Sequence, residues 1–150
     1  MTRTIALLGA IAALSLALQP TAAHADMSAC GSAYTSKDPQ KQIELYTLCL
    51  KHGGLVSTDI AGAFNNRGVA YEALGQIDNA RQDFAQAVKY DPGWVQFRLN
   101  LASTEAQQGK CAEALADLKV ALKLAPHRKE VLELKDRLAE RCPAPANPPG

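Results

Sequence analysis

The sequence predicts an all-α protein, a short helical solenoid, and three observations carry that prediction. Apolar and small residues recur at three- and four-residue spacing through the middle of the chain, as amphipathic helices require. The chain matches itself at an offset of 34 residues, and glycines and prolines punctuate the helical runs at equivalent places in the two copies.

Residues 1–25 read as a secretory signal peptide. Arg3 gives the basic start, Ile5 to Leu18 an apolar run, and Ala23-His24-Ala25 a small-residue end, with cleavage expected after Ala25. That run is 14 residues long, short of the roughly 20 a bilayer-spanning helix needs. A membrane anchor, a buried N-terminal helix and lipidation at Cys30 are the rival readings. Against lipidation, Gln19 to Asp26 separate Cys30 from the apolar run. A periplasmic or secreted protein is expected, with no stable membrane insertion.

Beyond the signal, a short helix is expected around 27–34 and another over 39–52, where Ile43, Tyr46, Cys49 and Leu50 recur at helical spacing. A loop over 52–59 follows. Helices are then expected at 59–74, 77–90, 93–108 and 111–124. Gly75 and Gly109 suit the left-handed turn that ends a helix, and Pro92 and Pro126 stop the runs before them. Small residues at Gly68, Ala80, Ala87, Ala102, Ala114 and Ala121 let helices approach. Phe64, Tyr71, Ile77, Phe84 and Val88, then Leu101, Leu115, Leu118 and Leu122, fill the space between. Residues 127–141 read as a capping helix with Val131, Leu132, Leu134 and Leu138 on its apolar face. The proline-rich 143–150 reads as an extended, mobile, disordered tail.

At the offset of 34, Ala80 meets Ala114, Phe84 meets Leu118, Ala87 meets Ala121, Pro92 meets Pro126, Gly75 meets Gly109 and Gly68 meets Ala102. This pattern resembles the tetratricopeptide repeat, in copies at about 61–94 and 95–128. Arg67 stands where the family usually carries Leu, and Arg98 and Glu105 replace its usual aromatics. The resemblance implies a right-handed superhelix, here of two clear repeats, a degenerate N-terminal helix pair and the C-terminal cap, together a repeat domain over 26–142.

Four cysteines behind an export signal read as two disulfides. Consecutive helices in such a stack run antiparallel, which predicts Cys30–Cys49 and Cys111–Cys142; buried free thiols are the alternative. His52 and His127 sit beside no cysteine pair, so no metal or other cofactor is expected. Losing Arg3 leaves acidic and basic residues in balance, and no basic field attracts nucleic acid. No phosphate-cradling loop or nucleophile elbow is present, and catalysis is not expected.

The resemblance implies a concave groove that grips a protein or peptide. Asn65, Asn66, Val69, Glu72 and Ala73 would line it from one copy, and Leu99, Asn100, Ser103, Ala106 and Gln107 from the next. Asn66 and Asn100 should project side by side and offer amides to a ligand backbone. Arg67, Arg98 and Arg128 are the candidates for gripping a terminal carboxylate, although Arg67 also suits snorkelling at the core edge. Trp94 reads as a plug between helices, with an exposed anchor as the alternative. The function expected is an exported adaptor or scaffold; the alternative is a structural part of an envelope assembly, acting through its outer face or self-association.

Overall fold

A computed structural model describes residues 22–51 and 54–143, with side chains from residue 29. Most of the signal segment, His52 and nearly all of the tail lie outside the described residues. Within them the order is α1 (Ala22–Thr35), α2 (Pro39–Lys51), α3 (Ser57–Ala73), α4 (Ile77–Tyr90), α5 (Val95–Gln107), α6 (Cys111–Leu124) and α7 (Lys129–Arg141), with no strand.

Local chemistry sets the ends. Proline opens α2, where its missing N–H costs nothing, and Asp38 Oδ1 accepts the Gln40 N–H at 3.0 Å. Gly75 and Gly109 adopt φ of 71° and 74°, the left-handed geometry that lets α3 and α5 stop and reverse. Helix α5 begins at Val95, two residues later than the sequence suggested. Asp91 Oδ1 accepts the Gly93 N–H at 3.2 Å, holding Asp91-Pro92-Gly93 in a turn.

Each helix packs on its sequence neighbour, and α5 also meets α7. The small positions are the contact points: Ala80, Ala87, Ala102, Ala114 and Ala121 are fully buried. At Gly68 the approach is closest, since a Cβ there would lie 2.7 Å from Phe84 Cε1. Phe84, Leu101 and Leu118 fill the core as expected, with Phe64, Tyr71, Val88 and Leu122 partly buried around them. Leu115 and Leu132 do not: they are 40% and 39% exposed, because no helix among the described residues covers those faces of α6 and α7.

The two ends of the stack are stapled. Cys30 joins Cys49 across α1 and α2, and Cys111 joins Cys142 across the start of α6 and the end of α7. In the chain-entropy account, loops of 19 and 31 residues are worth about 3 and 4 kcal/mol. They hold the elements with a neighbour on one side only. No helix among the described residues is long and apolar enough to cross a membrane.

Candidate functional site: an amide-floored groove

Helices α3 and α5 lie side by side, and a line of side chains ties their inner faces together. Arg128 Nη2 donates to Gln96 Oε1 at 3.0 Å, and Gln96 Nε2 donates to Asn100 Oδ1 at 2.9 Å. Asn100 Nδ2 donates to Asn65 Oδ1 at 2.8 Å, Asn65 Nδ2 to Asn66 Oδ1 at 3.2 Å, and Asn66 Nδ2 to the Tyr46 hydroxyl at 3.2 Å. Five bonds therefore run in one sense, from the start of α7 across α5 and α3 to α2. Same-sense links polarise one another. Burial, the larger effect, raises the Tyr46 pKa even though the Asn66 bond lowers it, so a neutral phenol ends the line. Farther along the helices, Gln107 Nε2 donates to Glu72 Oε1 at 3.2 Å.

This differs from the expected pairing: Asn100 meets Asn65, not Asn66. Each amide nitrogen still has a second N–H to offer a ligand. Val69 is 47% exposed beside the line, and Ser103 is partly buried in a cleft against Leu134 and Arg137 of α7. Leu99 does not line the groove. It is 6% exposed and packs with Val131, Leu134 and Leu138, because α7 leans on that face of α5. Ala106 is buried in the same cluster.

Two clefts flank Asn66. The smaller, about 160 Å³, lies among Tyr34, Gln42, Tyr46, Asn66 and Val69. The larger, about 350 Å³, opens over Gly62 between Asn65, Asn66, Thr58 and the corner residues Asp91, Trp94 and Phe97. Trp94 is no plug: it is 57% exposed and walls this cleft, its ring 6.0 Å from Phe97. It is the exposed anchor of the two readings, and the sequence favoured the other because helical periodicity does not say which side of a corner residue stays open.

The three arginines proposed for a carboxylate are all engaged within the fold. Arg67 does not snorkel. Its Nε and Nη2 grip Asp83 at 2.7 and 2.8 Å, Nη1 donates to Thr47 at 2.9 Å, and the guanidinium lies over Phe64 and Tyr71. Arg98 Nη1 donates to Asp117 at 2.7 Å and Nε to the Pro92 carbonyl at 3.0 Å. Arg128 bonds Gln96 and Glu130. Asp83 and Asp117 are 34 residues apart, so one repeat position answers both unusual arginines. That equivalence is readable in the sequence. The third departure, Glu105, has no such partner. It is 6% exposed, its Oε2 lacks a hydrogen bond within the protein, and its pKa is raised to about 7 by burial first, then by Asp117 and Glu113.

Residues 61–94 and 96–125 each match a family model described as tetratricopeptide repeat. The fold is a helical solenoid of tetratricopeptide type. The same architecture appears in the Arabidopsis OM64 tetratricopeptide domain, with a TM-score of 0.65 and 27% identity over 79% of this chain and 95% of that one. A human relative in fold is the second tetratricopeptide domain of RPAP3 in complex with the HSP70 peptide SGPTIEEVD. It has a TM-score of 0.65 and 21% identity, covering 78% of this chain and 94% of that domain. In sequence, the heat shock protein STI1 of Saccharomyces cerevisiae is 29% identical over 107 residues, 71% of this chain and 18% of that protein. The chain spans less than a fifth of the length of the curated relatives it matches. Among the described residues no cluster of His, Cys, Asp or Glu is arranged to hold a metal.

Proposed function

We propose that this chain is an exported adaptor that holds an extended segment of another protein in the groove floored by the Arg128-to-Tyr46 line, and that it works by binding rather than catalysis. The observation that carries the reading is that line. It offers a row of side-chain amides, with a cleft on either side of Asn66, which suits an extended backbone whose side chains drop into those clefts. The RPAP3 domain, alike in fold, is in complex with a peptide. Export rests on the signal-like residues 1–25 and fits two disulfides, which persist in oxidising compartments.

The test is in-cell crosslinking of the native chain against Asn66→Ala/Asn100→Ala, read by mass spectrometry after circular dichroism shows the variant folded. A partner captured by the wild type and lost by the variant is the expected result. Equal capture by both would move the function to the outer face, the surface an envelope component would use.

A further inference from the structure

We propose that the cleft over Gly62 takes an arginine side chain of the bound segment, stacked on Trp94 and paired with Asp91. This rests on the groove reading and names one residue of the partner. Three features of the cleft argue for it. Asp91 is the one charged residue among those lining the cleft, and among the described residues only the Gly93 N–H donates to its carboxylate. Trp94 offers a largely exposed indole face at the rim, and the planar, weakly hydrated guanidinium stacks on such a face better than other cations do. The arginines on adjoining elements, Arg98 and Arg128, are already held by Asp117, Pro92, Gln96 and Glu130, and neither they nor Lys89 of α4 forms an ion pair with Asp91 among the described residues.

The second repeat differs at this corner. Thirty-four residues on, Gly62 becomes Gln96 and Trp94 becomes Arg128. There Arg128, the counterpart of Trp94, bonds Gln96 at 3.0 Å, and the counterpart of Asp91 is Ala125, so the second repeat joins its own side chains across this corner and has no acid to hold a ligand cation. In the first repeat the glycine leaves that place open, with nothing within 4 Å of where its Cβ would stand. An acidic segment is the poorer occupant, since the lining offers a carboxylate and no cation.

Trp94 is the chain's single tryptophan, so its fluorescence reports this cleft alone. The test titrates the full chain with four blocked pentapeptides, Ac-Ala-Gly-Xaa-Gly-Ala-amide, where Xaa is arginine, citrulline, leucine or glutamate. Backbone and side-chain amide resonances of Asn100 and Gln107 are followed in parallel by NMR. The arginine peptide should give a saturable Trp94 response, with citrulline, leucine and glutamate at least tenfold weaker. Asp91→Asn should weaken the arginine peptide about tenfold. Gly62→Gln, which helix geometry tolerates, should abolish the response by filling the cleft as Gln96 does. Equal or tighter binding of any other peptide, or an arginine response unchanged in both variants, would overturn the arginine assignment. If peptides shift Asn100 and Gln107 but leave Trp94 untouched, the assignment falls while the groove reading stands. If no peptide perturbs either reporter, the assignment falls and the groove reading is left to the crosslinking comparison.

Discussion

The two repeats share a backbone and differ in how they neutralise it. In the first, Tyr71 and Phe64 flank Arg67, and the guanidinium between them grips Asp83 through two bonds. In the second, the arginine has moved to the position of Phe64, becoming Arg98, and still reaches the equivalent acid, Asp117. The position of Tyr71 is now Glu105, buried close enough to Asp117 to feel its charge. The first repeat has one buried acid and one partly buried base. The second has an acid too many. A repeat position is therefore not independent: the residue that fits depends on which of its neighbours carries the counter-charge.

Breaking the first repeat should have the largest effect. Asp83→Ala strands the partly buried Arg67 guanidinium and should cost about 3–5 kcal/mol in urea unfolding. Asp117→Ala should cost clearly less, because it strands Arg98 but relieves Glu105. Equal losses would dissolve the contrast between repeats.

Glu105 sharpens it next. Its folded pKa of about 7 lies above the unfolded 4.5, so its stabilising contribution is full below about pH 4.5 and is lost as pH rises through 7. Unfolding free energy should fall on the order of 3 kcal/mol between pH 5 and 8 from this group. Glu105→Gln should flatten that slope and raise stability at pH 8 by on the order of 2 kcal/mol. Circular-dichroism unfolding at the two pH values reads both.

Two glycines of α3 give the smaller effects, of opposite sign. Gly68→Ala drives a Cβ into the fully buried Phe84 ring and should lower stability by about 1–3 kcal/mol. Gly62→Ala meets open space and should raise it by about 0.5–1 kcal/mol through helix propensity. Thermal melts of the pair measure the difference.

The helices were legible because their signals are local: proline and glycine at the ends, small residues every turn where helices touch. The helices expected at 77–90 and 111–124 coincide with α4 and α6. The late start of α5 was not legible, since it depends on one hydrogen bond from the Gly93 N–H to Asp91. Nor was the burial of Leu99, which holds the place of Asn65 in its repeat. Periodicity puts both on the same helix face, but only Leu99 has the capping helix leaning on it. Groove lining is set by what stacks next, and that information lies outside the repeat being read.

The groove itself is tested most directly without disturbing its floor. A photo-reactive amino acid placed at Val69, exposed within the groove, is compared in cells with one at Leu115, exposed on α6. The adaptor reading predicts a discrete partner adduct from position 69 and none from 115. An adduct from 115 alone would contradict it and assign the working surface to the outer layer of helices.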